Sequence, residues 1–423
     1  MRATEPFVVM AKPVGPVCNL DCAYCYYVEK KCLFPAGERF RMNPRVLEAY
    51  IGAYIAASPG PLVHFVWHGG EPVMAGIDFY RQALELQAHY LPEGWRCLNT
   101  LQTNATLLDD AWGAFLAANG FLVGVSLDGP AHLHDRGRTD LRGRPSHERV
   151  LRGLRVLRDH GVDPDILCSV HARNAPHPLE VYRFFLDLGV TWIQFIPVVR
   201  RDDIRGPDPW TVRPEVLGEF LCTVFDEWVR YDVGRLGVQN FLEPVLVAAG
   251  QPANLCVMGE TCGRALALEH DGSVYACDHF VDAGHRLGAV PADDLGALLE
   301  SADQLSFGRA KRETLPEVCV SCPVLGYCRG GCPKDRFPST RGGDPGPNYL
   351  CAGYRRFYEH ARPYVERMSS LARSGRATTA IMGELEAAES DERRQWWATP
   401  RNAPCPCGSG IKYKRCCLGR RRR

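Results

Sequence analysis

The sequence predicts an α/β protein: a partial (β/α)6 barrel of the TIM type, then a cysteine-rich domain with a β-hairpin, then a small zinc-binding tail. Three observations carry this. Between residues 7 and 240, apolar runs of strand type alternate with helical periodicity, the mark of parallel βα units. From about residue 241 the alternation stops and eight cysteines return between 256 and 351. Four more cysteines crowd residues 405–417 around a Gly-Ser-Gly turn.

Taken in order, residues 7–14 read as a strand, 43–58 as a helix and 62–67 (LVHFVW) as a buried strand that runs into HGGEP at 68–72. A helix over 78–91, a strand over 96–101, a helix over 109–119 and a strand over 121–127 follow. Beyond a polar loop come a helix at 146–160, a strand at 165–170, a helix at 177–188 and a strand at 192–197. A helix over 214–232 leads to a last short strand near 237–240. Six repeats suggest an incomplete barrel, although periodicity alone does not separate a barrel from an open sheet. Gln102, Asn104, Ser126, Asp128 and Gln194 stand at strand ends, on the face where barrels place their chemistry. Each alone reads equally as a capping residue; together they outline a pocket mouth. Arg200 and Arg201 follow the strand at 192–197 and either pair a carboxylate or face solvent.

Length and composition bound the possibilities. A chain of 423 residues, 46% hydrophobic and 23% charged, suits a globular protein of two or three domains. Fifty basic against 49 acidic side chains leave no global field toward nucleic acid or membrane. No apolar run approaches the ~18 residues of a membrane span. The start, MRATEPFVVMAKP, lacks a signal-peptide core, so a cytoplasmic protein without membrane insertion is expected. Nineteen cysteines point to metal, since a secreted disulfide scaffold would need an export signal. Cys32, Cys97, Cys168 and Cys222 are scattered and expected to be plain buried hydrophobes.

The other fifteen fall into ligand-like groups. Cys18-x3-Cys22-x2-Cys25 can hold three irons of a four-iron cluster and leave the fourth open; structural zinc, the alternative, normally wants four ligands. Cys256, Cys262, Cys277, Cys319, Cys322, Cys328, Cys332 and Cys351 suit two complete four-ligand clusters, with a zinc ribbon the alternative for Cys319 and Cys322. Among them, 263–277 reads as a hairpin turning at His270-Asp271-Gly272, and 352–368 as an aromatic helix. Residues 376–397 form an amphipathic linker whose Trp396 and Trp397 are expected to dock on the protein. Cys405, Cys407, Cys416 and Cys417 make a soft tetrahedral set suited to Zn2+, without which so small a unit has no core. Residues 401–423 hold eight Lys or Arg and no acid. That charge suits an acidic partner (a protein, a nascent chain or RNA) or simply solubilises the tail.

With Tyr24 between its last two cysteines, CNLDCAYCYY resembles the signature of the radical S-adenosylmethionine (SAM) enzymes. The resemblance implies that the methionine part of SAM chelates the open iron and that reductive cleavage yields a 5′-deoxyadenosyl radical. HGGEP resembles the family's motif for the SAM amino group: Gly69 and Gly70 would let the backbone approach, and Glu71 would accept from the ammonium. Otherwise it is a Gly-Gly turn with a solvent-facing glutamate. The second half resembles the SPASM extension. Over residues 5–368, WHGGEP, LQTNATLL, GVSLDGP, WIQFIPVVR and the Cys277-Asp278 pair resemble the anaerobic sulfatase-maturating enzymes most. The tail looks like a SEC-C module.

By this resemblance Cys256, Cys262, Cys277 and Cys332 bind one auxiliary cluster and Cys319, Cys322, Cys328 and Cys351 the other, giving three [4Fe-4S] clusters in all. The implied reaction oxidises a cysteine or serine of an unfolded sulfatase to Cα-formylglycine. The radical removes a Cβ hydrogen, Asp278 takes the thiol or hydroxyl proton, and the electron leaves through an auxiliary cluster. Without the family, Asp278 is a surface or capping aspartate; His279 is a weaker acid-base candidate. A flavodoxin or ferredoxin is the expected reductant. The implied organisation is a barrel over 1–240, a SPASM domain over 241–368, a helical linker over 369–400 and the zinc module over 401–423. The Arg-rich loop 134–147 departs from the family's lysine- and glycine-containing version, and Arg142 or Arg144 is a candidate contact to SAM or peptide. Two alternatives stand beside this: a SPASM maturase making thioether or carbon–carbon crosslinks in a precursor peptide, and a non-catalytic iron-sulfur or zinc adaptor.

Overall fold

The computed structural model describes residues 1–202, 206–337, 346–407 and 409–417; the side chains of residues 201, 202, 206 and 392–398 also lie outside the description. Six βα repeats form where hydrophobic periodicity places them. The strands are β1 (Val8–Ala11), β2 (Leu62–Trp67), β3 (Arg96–Thr103), β4 (Leu122–Ser126), β5 (Asp165–Val170) and β6 (Trp192–Pro197). A two-residue ribbon of β7 (Arg201–Asp202) and β8 (Gly206–Pro207) precedes β9 (Gly237–Val238). Between the strands run α1 (Pro44–Ala57), α2 (Ile77–Tyr90), α3 (Asp110–Ala118), the short α4 (Ala131–His134), α5 (His147–Asp159), α6 (Pro178–Asp187) and α7 (Pro214–Tyr231). Local chemistry sets the helix starts. Asn43 accepts from the Val46 amide at 3.0 Å with Pro44 in the first turn, and Asp109 does the same for Trp112.

β1 to β6 and then β9 pair in parallel, in order. The sheet does not end at β1. After α8 (Gln239–Ala248), β10 (Ala265–Leu268) pairs with β1 in parallel, Val8 opposite Ala265 and Ala11 opposite Leu268. β11 (Ser273–Tyr275) and β12 (Arg286–Ala289) continue it antiparallel. The hairpin therefore forms as expected, but it extends the barrel sheet, and β12 is a strand that the sequence reading does not foresee. Periodicity reports which face of a strand is buried and carries nothing about which distant edge it joins. The sheet keeps two edges, β12 and β9, so the barrel is open.

α9 (Leu295–Leu299), α10 (Ala302–Glu313), α11 (Glu317–Val320) and α12 (Leu325–Cys328) follow. The long α13 (Cys351–Arg373) covers 352–368 as predicted and packs on α7 and α8. Phe357 meets Phe225 and Phe241 with ring centroids 5.9 and 5.5 Å apart, joining the cysteine-rich half to the barrel core. α14 (Ala380–Ala398) forms over the amphipathic stretch; the Trp396 and Trp397 side chains lie outside the described residues. Cys168 and Cys222 are buried and Cys97 is half-buried, but Cys32 is exposed. It sits in the turn Val28–Leu33, which contributes no buried residue, so the expectation of a buried hydrophobe fails there. Among the described residues no helix is long and apolar enough to cross a membrane.

Candidate active site and metal centres

The cluster loop after β1 and the HGGEP loop after β2 are built against each other. The His68, Gly70 and Glu71 amides donate to the carbonyls of Ala11, Gly15 and Val17 at 2.8, 2.8 and 2.9 Å. Gly70 is required at this contact: a Cβ there would lie 1.9 Å from the Val17 oxygen. Glu71 is fully buried. Its carboxylate accepts from the Val73 amide (3.0 Å), the Thr103 hydroxyl (2.7 Å) and the Asn104 amide (2.8 Å). Burial pushes its pKa up to about 7 against those three donors. Asn104 then reaches Asn19 at 3.0 Å and the Cys18 sulfur at 3.6 Å, so the end of β3 supports the cluster loop through Glu71.

A second buried network organises the other side. Asp128, just past β4, is fully buried and accepts from Arg138 Nε and Nη2 (2.8 and 3.1 Å), the Ser169 amide (2.9 Å) and the Tyr24 hydroxyl. Burial alone would raise its carboxyl; the paired Arg138 guanidinium reverses the sign and holds it at about 2. Tyr24 also packs on His171 and Trp210, with centroids 4.9 and 5.7 Å away. Asp128 thus fixes Tyr24 within the cluster loop. Arg138, from the Arg-rich loop, is a residue of this site that sequence reasoning missed, because spacing does not say which of several arginines turns inward. Arg144 pairs with Asp140 in its own loop (2.8 Å), and Arg142 is exposed. Arg138→Met should cost roughly 3–5 kcal/mol by leaving a buried carboxylate unpaired. Arg144→Met should cost far less, and anaerobic urea unfolding distinguishes the two.

Gln102 and Ser126 are half-buried at the ends of β3 and β4, as the pattern places them, whereas the half-buried Gln194 lies in the middle of β6 and not at its end. Arg200 pairs with Glu29 and donates to the Ala23 carbonyl at 2.8 Å, bracing the cluster loop; the Arg201 side chain lies outside the described residues.

Asp278 lies beside the cluster loop. Lys12, the residue that follows β1, is fully buried and forms an ion pair with Asp278; its ammonium also lies 3.0 Å from His68 Nδ1 and 4.3 Å from the centre of the Tyr27 ring. Tyr26 donates its hydroxyl to the other Asp278 oxygen. Burial pushes the carboxyl up, and the Lys12 charge outweighs it, holding Asp278 well below the usual range. Burial and the same ammonium keep His68 neutral, with a pKa of about 4. His279 is exposed, 5.0 Å from the Tyr26 ring. Sequence reasoning missed Lys12 as well; a charged residue closing the apolar run FVVMA just before the cysteine motif is the signal that could have found it.

The thiols are tested as ligands by their surroundings. Burial pushes Cys18 to about 11 and Cys22, Cys277, Cys328 and Cys332 to about 12, so a bound cation is what would make them thiolates. Cys262, Cys277 and Cys332 each lie close enough to Cys256 that a thiolate there would raise their pKa. Cys328 instead feels Cys351, Cys319 and Cys322, and these four line one cavity with Val324 and Arg355. Among the described residues, the tail is where four sulfurs lie within 4.8 Å of one another: Cys405, Cys407, Cys416 and Cys417. That closeness suits a single ion, whereas a four-iron cluster needs its thiolates farther apart. The donor sets therefore fit both kinds of group.

Comparison with known proteins agrees. The Radical SAM superfamily model matches residues 13–192, the SPASM iron-sulfur cluster-binding domain 256–323 and the SEC-C motif 401–419. The chain is 41% identical over 397 residues to a serine-type anaerobic sulfatase-maturating enzyme of Bacteroides thetaiotaomicron, covering 90% of this chain and 96% of that one. It is 31% identical to a cysteine-type enzyme of Clostridium perfringens, covering 85% and 97%. The solved structure of anSMEcpe with AdoMet and a Cp18Cys peptide superposes with a TM-score of 0.79 at 30% identity, over 86% of this chain and 99% of that one. Streptococcus suis SuiB, at 15% identity and a TM-score of 0.58, covering 82% of this chain and 77% of that one, shares the fold. With its (β/α) core, its cysteine-rich domain and its terminal four-cysteine site, this chain belongs to the radical SAM/SPASM family of anaerobic sulfatase-maturating enzymes.

Proposed function

We propose that this enzyme makes Cα-formylglycine from a serine in an unfolded sulfatase segment, with Asp278 as the base. The observation that carries the reading is the Asp278 carboxylate itself: buried, held ionised by Lys12, and bonded to Tyr26. Tyr26 follows Cys25 and Asp278 follows Cys277, so this one hydrogen bond links the radical loop to an auxiliary-cluster ligand. When bound, the iron-sulfur centre of Cys18, Cys22 and Cys25 with SAM supplies the radical that takes hydrogen from the substrate Cβ. Asp278 receives the hydroxyl proton as the carbonyl forms, and Lys12 keeps it unprotonated and in place until then. Tyr24, Gly69, Gly70, Glu71, Gln102, Asn104, Ser126, Asp128 and Gln194 hold or shape the SAM pocket, Asp128 by fixing Tyr24 and Glu71 by fixing Asn104.

Cys256, Cys262, Cys277 and Cys332 hold one auxiliary [4Fe-4S] cluster and Cys319, Cys322, Cys328 and Cys351 a second, supported by the one cavity that the second four line and by the closeness of Cys262, Cys277 and Cys332 to Cys256. Cys405, Cys407, Cys416 and Cys417 hold Zn2+, and the basic tail around them meets an acidic partner. The barrel, SPASM domain, linker and zinc module divide near residues 240, 368 and 400. A cytoplasmic flavodoxin or ferredoxin supplies electrons. Serine as target is favoured by the higher identity to the serine-type relative, 41% against 31%. Crosslinking of a precursor peptide has only fold-level likeness behind it.

The test is anaerobic mass spectrometry of reconstituted enzyme with SAM, dithionite and sulfatase-type peptides carrying S-x-P-x-R or C-x-P-x-R. A serine peptide lighter by two hydrogens, matched by 5′-deoxyadenosine, is the expected result. Faster conversion of the cysteine peptide, with loss of sulfur and two hydrogens and gain of one oxygen, would overturn the serine assignment. Deoxyadenosine with both peptides unchanged would overturn the formylglycine reading.

A further inference from the structure

Two cations of the cysteine-rich half do nothing in the reaction as described above. Lys311, on α10, is 1% exposed. Its ammonium donates to the carbonyls of Cys256 (2.6 Å), Val257 (3.0 Å) and Gly259, wrapping the turn that carries Cys256. Its own carbonyl accepts from Arg336 Nη1 at 2.7 Å. Arg336 in turn donates from Nε to Gly330 (3.1 Å) and from Nη2 to Arg329 (3.3 Å), both within the turn between Cys328 and Cys332. Those two cysteines belong to different proposed cluster sites. A continuous strap therefore runs from the Cys256 turn through Lys311 and Arg336 to the Cys328–Cys332 turn.

Among the described residues neither cation forms an ion pair with a carboxylate, and the donors are spent on uncharged oxygens: backbone carbonyls and the Thr314 hydroxyl. Lys311 is buried and Arg336 half-buried, and a buried ammonium normally requires an opposing charge. Lys311 is bonded to the carbonyl of Cys256 itself and Arg336 to carbonyls of the turn between Cys328 and Cys332, so the thiols on those turns are the candidates for the opposing charge. Arg336 is thus placed to feel both sets. Four thiolates on a four-iron cluster leave net negative charge, which grows by one on reduction, so a nearby fixed cation stabilises the reduced form.

We infer that Arg336, backed by Lys311, is a cationic strut between the two auxiliary cluster sites that raises both reduction potentials, favouring uptake of the electron the substrate gives up. This rests on the two-cluster reading above. It makes Arg336 a positioning residue for electron transfer, with no contact to substrate.

The experiment is an anaerobic redox titration of reconstituted full-length enzyme followed by electron paramagnetic resonance, with iron counted first. Arg336→Met should shift the reduced-to-oxidised ratio of both auxiliary clusters at least tenfold toward oxidised, or ~59 mV for a one-electron couple. Lys311→Met should shift chiefly the cluster bound through Cys256. Arg336→Lys should stay close to the parent, and the Cys18–Cys22–Cys25 centre should not move in any variant. If Arg336→Met fails to hold iron, Arg336→Gln carries the same test. Unmoved auxiliary midpoints in a three-cluster variant would overturn the strut alone, as would Arg336→Lys shifting as far as Arg336→Met. A parent enzyme with a single auxiliary cluster would overturn the two-cluster reading and the strut with it.

Discussion

Asp278→Asn is expected to leave SAM cleavage intact and to cut peptide oxidation by at least ~10²-fold, the usual worth of a positioned general base. The amide keeps the shape and still accepts from Tyr26, but it cannot take a proton. It also strands Lys12, which is fully buried and whose charge Asp278 balances. Removing one partner of such a pair costs roughly 3–5 kcal/mol, so a loss of stability should accompany the loss of product. The double variant Lys12→Met/Asp278→Asn separates the two effects. Stability should largely return, because no unpaired charge remains, while product should not. Deoxyadenosine yield, peptide mass and anaerobic urea unfolding read the three quantities. Recovery of peptide oxidation in the double variant would rule out Asp278 as the base. A double variant no more stable than either single one would mean that the buried pair does not couple Lys12 to Asp278 energetically.

Glu71→Ala should be nearly as damaging, by a different route. It leaves the Val73 and Asn104 amides and the Thr103 hydroxyl without their buried acceptor. At ~1–3 kcal/mol for each donor left unsatisfied, a loss of about 3 kcal/mol or more is expected. The same substitution frees Asn104 beside Cys18, so SAM affinity should fall by about tenfold for each ~1.4 kcal/mol passed to that loop, measured by anaerobic calorimetric titration. The pH dependence has an unusual sign. Folding raises this carboxyl from 4.5 to about 7, so the folded state binds the extra proton between those values. Stability contributed by Glu71 therefore declines as pH rises from about 4.5 to 7, by an amount on the order of 3 kcal/mol. Glu71→Gln should flatten that slope. Parallel slopes in parent and variant between pH 5 and 8 would place the titration elsewhere.

The same residue shows what could be read without a structure. HGGEP identified Glu71 and its glycines, and strand periodicity put them beyond β2. The glutamate's burial, its three donors and the 1.9 Å approach that excludes a side chain at Gly70 come from packing two loops against each other. Arg138 makes the point more sharply. It is one arginine among four in the loop 134–147, and only the folded chain turns it onto Asp128.

By itself, the sequence determined the βα order, the boundaries of the barrel helices α1, α2, α3, α5, α6 and α7 to within a residue or two, the three-cysteine loop, the family and the four-cysteine tail, but not the helices α8 and α10. All of these are local patterns: burial period, capping chemistry and ligand spacing are written within about twenty residues of chain. Tertiary structure alone decided that β10 completes the open edge of β1, that Cys319, Cys322, Cys328 and Cys351 line one cavity, and that Lys12 meets Asp278. The last pair is separated by 266 positions, and no periodicity spans that distance. Whether two buried charges meet depends on how the sheet closes and which loops it stacks, and burial in low dielectric then makes their meeting obligatory.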